Sequence, residues 1–152
     1  MGCGRTDAGV HASQFFAHFD AETLPLDTAT IVHKLNTMLP ASIAIYGLQQ
    51  VKYDAHSRFH ATKRSYQYYI STRKAPFYSD CSYKFNIPLD LQAMNKACEL
   101  LLGKKDFGCF CKANVDNHTD ICTVSQAIWK QEEHMITFNI TANRFLRNMV
   151  RA

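Results

Sequence analysis

The run Met135-Ile136-Thr137-Phe138-Asn139-Ile140-Thr141-Ala142 alternates apolar and polar side chains. An extended backbone sends every second side chain to the same face, so this run commits the chain to a half-buried β-strand. Ile136, Phe138 and Ile140 then point inward, and Thr137, Asn139 and Thr141 point outward. Ile128 to Gln131 precedes it across Glu132-Glu133-His134, a link short enough for a hairpin. A second run, Tyr66 to Ile70, puts Tyr66, Tyr68 and Ile70 on one face. Gln14 to Phe19 and Ile43 to Val51 read as two further strands.

Helix signals separate these strands. Pro25-Leu26-Asp27 opens a helix with Asp27 as cap, Ile31, Leu35, Met38 and Leu39 as its apolar stripe, and Pro40 as its stop. Pro88-Leu89-Asp90 opens another, capped by Asp90, with Leu91, Met94, Ala97, Cys98 and Leu101 inward and Gly103 closing it. Lys104 to His118 reads as a polar loop around Phe107 and Phe110. Asn143 is placed to cap a last helix, Arg144 to Ala152, which would align Arg144, Arg147 and Arg151 on one face. The order is strand–helix–strand–strand, then helix–strand–strand–helix. Pro76 to Ser82 reads as the crossover, which divides the chain into residues 1–77 and 78–152.

With 152 residues, 47% of them hydrophobic, the chain can bury a core as one domain or two small packed halves. Its net charge of +4 fits a polyanionic partner without requiring one. No stretch reaches the ~18 apolar residues of a membrane span. The start lacks the basic–apolar–small pattern of a secretory signal, which points to the cytoplasm. The six cysteines then read as reduced thiols. A zinc site from Cys109, Cys111, His118 and Cys122 is the sharper alternative, although Cys-x-Cys is not the usual knuckle spacing.

The chemistry-bearing stretch is Gly4-Arg5-Thr6-Asp7-Ala8-Gly9-Val10-His11-Ala12. It reads as a short extended piece entering a tight turn, with Arg5 and Asp7 on the same side and Gly9 where a turn needs unusual backbone angles. A carboxylate fixed on such a turn can be a nucleophile, a base or a ligand. Equally, Arg-x-Asp beside glycine can be a turn held by a local ion pair. A second candidate region combines Arg58, Lys63 and Arg64 with tyrosines, the mixture that grips phosphates and stacks bases. It can also be a tyrosine-rich core strand beside a solvated loop. His18 and His33 read as residues without chemistry, and His56, His60 and His118 as polar loop residues.

The nine-residue stretch resembles the signature motif of the TruA-type tRNA pseudouridine synthases. His56-Ser57-Arg58-Phe59-His60-Ala61 with Arg64-x-Tyr66-x-Tyr68 resembles that family's second motif. Ala142-Asn143-Arg144-Phe145-Leu146-Arg147-Asn148-Met149-Val150-Arg151 resembles the third, and Leu102-Gly103-x-x-Asp106-Phe107 a chiefly structural one. The resemblance implies an α+β protein of two related halves, with antiparallel sheet, helices on one face and a cleft between them. It also implies a truncated pattern, because the family has a strand and helix before the first motif and further elements after the third.

In function, the resemblance implies isomerisation of uridine to pseudouridine in the tRNA anticodon stem-loop, at positions 38 to 40. Asp7 would be the nucleophile, attacking either the ribose or the pyrimidine ring. Arg151 would pair with Asp7, and Tyr66 would pack on the base and assist removal of its ring proton. Arg5, Arg58, Arg64, Arg144 and Arg147 are the candidate RNA contacts. The product is an isomer of the substrate, so no cofactor or metal is implied. The partners implied are tRNA and a second copy of the chain, as a homodimer, with no membrane. Three rivals stay open: a non-catalytic RNA-binding module, a small zinc-binding domain, and a different nucleotide-modifying enzyme using Asp7 as general base.

Overall fold

The computed structural model describes residues 1–4, 6–113 and 118–152. Among them are five strands, β1 (Arg64–Ser71), β2 (Ser82–Lys84), β3 (Gly103–Asp106), β4 (Ile121–Glu132) and β5 (Met135–Ala142), and two α-helices, α1 (Thr28–Met38) and α2 (Leu91–Glu99). Short 3-10 turns stand at Pro76–Tyr78 and Gly108–Phe110. The described residues of Thr6–Ser13 and Ala61–Ala152 form one compact unit, and those of Met1–Arg5 and Gln14–His60 another.

All five strands join one sheet in the order β2-β1-β5-β4-β3. The alternating run is its central strand, β5, between β1 and β4 and antiparallel to both. On the inner face Tyr66 opposes Ile140, Tyr68 opposes Phe138 and Ile70 opposes Ile136. On the outer face Ser65 bonds Thr141 (2.8 Å) and Gln67 Nε2 donates to Asn139 Oδ1 (2.8 Å). The expectation of a purely antiparallel sheet is corrected at one edge: β2 runs parallel to β1. The crossover through Pro76–Tyr78 carries the chain back before β2 begins, and this allows a parallel pair. The class is α+β with a mixed sheet.

Strand β4 is longer than the hairpin arm expected, and its inward parity changes along its length. Cys122 and Val124 are buried at even positions, whereas Ala127 and Trp129 oppose Ile140 and Phe138 at odd ones. A bulge between Val124 and Gln126 inserts the residue that makes this switch. The core gathers Phe107, Cys122, Val124, Ile140, Ala142, Leu146 and Met149.

Helix α2 begins as its cap signal requires, Asp90 Oδ1 accepting from Ala93 N at 2.9 Å. It packs on β4 where β3 stops. There Asn95 Oδ1 accepts from Trp129 N (2.8 Å) and Asn95 Nδ2 donates to Trp129 O (3.0 Å), substituting for a neighbouring strand. Asn95→Ala removes both bonds and is expected to destabilise the unit by about 1–3 kcal/mol, read as a lowered urea midpoint with an unchanged m-value. Gly103 does not close this helix. The helix ends at Glu99, and Gly103, at φ 94, opens β3 inside the expected loop.

In the other unit α1 starts after Asp27, whose carboxylate accepts from Thr30 N and lies below the usual carboxylate pKa through its bonds to the Thr30 side chain and backbone. Leu39 turns extended before Pro40, where the proline ring disfavours helix. Two expected strands are not formed. Residues 14–19 make a single bridge, Gly2 with Ala17. Residues 43–51 have no ladder, because Asn36 occupies both backbone groups of Ile45 (2.7 and 2.8 Å).

Candidate active site

Asp7 stands on a turn in the same unit as the sheet. Val10 N donates to Asp7 O at 3.3 Å, and Gly9, third in that turn, has φ 78. This is the left-handed region that a third turn position demands and that costs a side chain strain, so glycine is required there. The Asp7 side chain is half exposed.

Arg151 reaches Asp7 from the far end of the sequence. After β5, the expected helix from Arg144 to Ala152 is absent. Asn143 does not cap a helix but extends the sheet. Its N–H donates to Thr123 O (3.0 Å) and its Oδ1 accepts from Thr123 N (2.7 Å). Leu146 and Met149 then bury themselves in the core, and Asn148 at φ 67 breaks any helical continuation. Tight turns follow, with Met149 N donating to Leu146 O (3.2 Å) and Arg151 N to Asn148 O (2.8 Å). The outcome is a contact of 3.5 Å between Arg151 Nε and Asp7 Oδ2. Both side chains are about half exposed, 55% and 49%. Such a pair adds ~0–1 kcal/mol to stability, so its value lies in orientation.

The remaining candidates have contacts of their own. Tyr66 is half buried on β1, edge-on to Phe145 with ring centres 5.2 Å apart and planes at 82°. Arg64 is drawn to the start of the C-terminal segment, its Nη1 donating to Asn143 O at 2.9 Å. Arg144 is half buried with its charge toward Cys122, and Arg147 is exposed. Without a helix these two share no helical face with Arg151. Arg58 lies in the other unit, with its guanidinium carbon 5.7 Å from the centre of the Phe59 ring. Arg5 lies outside the described residues.

An open cavity of about 220 Å³ adjoins Arg151, with Cys109, Cys111, Lys112 and Asn148 in its wall. Burial pushes the Cys122 thiol pKa up, which disfavours the thiolate a metal would need. Among the described residues no three His, Cys, Asp or Glu side chains gather to hold a metal, His118 included. The arrangement at the turn is a carboxylate on a rigid support, oriented by a guanidinium, with an aromatic strand in the same unit.

A family model described as tRNA pseudouridine synthase matches residues 97–152. The tRNA pseudouridine synthase A of Bacteroides fragilis is 51% identical across the whole chain, which spans 61% of that relative. Those of Bacteroides thetaiotaomicron and Parabacteroides distasonis are 50% and 47% identical, with 57% and 60% of their lengths spanned. Along its whole length the chain is similar to these tRNA pseudouridine synthases A. It spans about three fifths of the length of these curated relatives.

The motif residues were legible in the sequence, but their supports were not. Leu146 and Met149 are buried and anchor the segment that carries Arg151, whereas the spacing of Arg144, Arg147 and Arg151 predicts a helix there. Lys112, whose N–H donates to Arg147 O at 2.9 Å, joins the wall beside Arg151 with no motif to announce it. Among the described residues no helix is long and apolar enough to cross a membrane.

Proposed function

We propose that this chain carries the catalytic part of a tRNA pseudouridine synthase that isomerises uridine in the anticodon stem-loop, at positions 38 to 40. The observation that carries the reading is the meeting of Asp7 and Arg151, from the first and third motifs, at 3.5 Å. Asp7 acts as the nucleophile on a uridine flipped out of the RNA stack. The N-glycosidic bond breaks, the base turns, a carbon–carbon bond to the ribose replaces it, and the bond that Asp7 formed to the substrate is broken again, which frees the carboxylate. The ring proton lost from carbon moves to nitrogen, so atoms and electrons balance within the substrate.

Arg151 orients the carboxylate and stabilises charge as it shifts. Tyr66 packs on the base and assists removal of the ring proton. Arg5, Arg58, Arg64, Arg144 and Arg147 contact the RNA. Residues 1–77 and 78–152 correspond to two related halves with a cleft between them, and the working assembly is a homodimer spanned by one tRNA.

The test is incubation with unmodified tRNA transcript and mapping of pseudouridine by nucleotide. Product confined to the anticodon arm supports the reading, and folded protein that binds tRNA without isomerising it refutes it. In the same assay Arg151→Met is expected to lower kcat by about 10²–10³-fold, the usual cost of losing one electrostatic partner, with a smaller change in KM.

A further inference from the structure

The segment from His56 to His60 is wound around one imidazole. His56 Nδ1 accepts from two backbone N–H groups, those of Arg58 (3.2 Å) and Phe59 (3.1 Å). Its ring stacks on Phe59, with centres 4.2 Å apart and planes at 23°. The turn is closed twice more: His60 N donates to His56 O (2.9 Å), and His56 N donates to His60 Nδ1 (3.3 Å). Behind it Ser57 N donates to His18 Nδ1 (3.1 Å), and the rings of His18 and His56 are 4.6 Å apart.

A ring nitrogen accepts a hydrogen bond only while it carries no proton. Facing two amide donors, His56 Nδ1 therefore accepts as part of a neutral ring. A proton on His56 Nδ1 would point a donor at two donors and release the Arg58 and Phe59 amides together. We infer that His56 is a positioning residue whose neutral Nδ1 holds Arg58 and the exposed Phe59 in place for RNA, so that this contact is lost when His56 is protonated. The inference rests on the reading of the chain as a tRNA-binding enzyme.

The groups facing His56 are His18, His60 and Arg58, each of them cationic or able to become so. Loss of hydration first, then the charge of His18, push the His56 pKa below its ordinary value, with His60 and Arg58 adding to the effect. An unfolded histidine titrates near ~6.5, and the folded turn resists the proton until lower pH. The stabilisation is complete above about pH 6.5 and is lost as pH falls through the lower folded value.

The test compares wild type, His56→Ala and His56→Asn for binding to unmodified tRNA between pH 7.5 and 5, at fixed salt. Asn places its amide oxygen near the Nδ1 position and does not titrate. His56→Ala is expected to weaken binding about 5–10-fold at pH 7.5 (~1–1.4 kcal/mol), and His56→Asn to restore it. Wild type is expected to lose binding on acidification, and His56→Asn to keep it. Charging of the chain's 7 histidines would by itself tighten binding to a polyanion. Loss in that window therefore reports the turn. Equal binding by wild type and His56→Ala, or the same pH profile for wild type and His56→Asn, overturns the inference.

Amide hydrogen exchange separates this from the functional reading. Arg58 and Phe59 amides are expected to be protected in wild type and His56→Asn but not in His56→Ala. If wild type binds no tRNA, the functional reading fails and exchange alone decides the structural role of His56. Protection that survives in His56→Ala refutes that role.

Discussion

Asp7→Asn is expected to lower pseudouridine formation by at least about 10³-fold, the scale on which loss of a nucleophile acts, while tRNA binding stays within about threefold of wild type. Asn keeps the shape of Asp, but its amide is a far weaker nucleophile. The turn itself depends on the Asp7 backbone oxygen and Gly9, neither of which the substitution touches. Asp7 and Arg151 meet at 3.5 Å and should act as a unit. Arg151→Met in the Asp7→Asn background is then expected to cost little more than Asp7→Asn alone. Full additivity would separate Arg151 from the nucleophile. Undiminished product from Asp7→Asn would remove Asp7 from the chemistry and favour a non-catalytic RNA-binding role for the motif.

Leu146→Ala is the second large effect. Leu146 is 5% exposed and belongs to the cluster of Phe107, Cys122, Val124, Ile140, Ala142 and Met149. Removing its branched end from a packed site is expected to destabilise the unit by about 2–5 kcal/mol, a sizeable part of the ~5–15 kcal/mol that holds a domain folded. Leu146→Met, which conserves volume, should stay under about 1.5 kcal/mol. Urea unfolding of the three proteins gives both values. Activity should fall as well, even under conditions where Leu146→Ala is still folded. Leu146 and Met149 are what fix the otherwise turn-rich segment that carries Arg151. A destabilised variant with unaltered kcat would mean that Arg151 is positioned by something other than this burial.

Much of the fold could be read from local patterns. The alternation in β5, the Tyr66–Ile70 face of β1 and the caps Asp27 and Asp90 depend on neighbours within a few residues, and each is found where its spacing put it. The elements that did not form were those whose backbone partners lie elsewhere. Residues 43–51 have strand-like composition, but Asn36 takes the backbone groups of Ile45 that a ladder would use. Residues 144–152 have helical spacing, but burying Leu146 and Met149 against the sheet outweighed the weak intrinsic preference of so short a helix.

Local sequence was enough for the α+β class, the inner face of the central strand, and the motif residues that carry the resemblance to the tRNA pseudouridine synthases. These follow from side-chain periodicity and from strings of adjacent residues, and neither requires knowledge of the rest of the chain. Tertiary structure alone decided the parallel pairing of β2 with β1, the bulge that reverses the parity of β4, and the burial of Leu146 and Met149 that replaces a helix before Arg151. Each is a relation between segments distant in sequence, and its free energy comes from burying apolar surface together and satisfying backbone groups across the sheet. No local propensity encodes that choice, because it exists only once the partner segments have met.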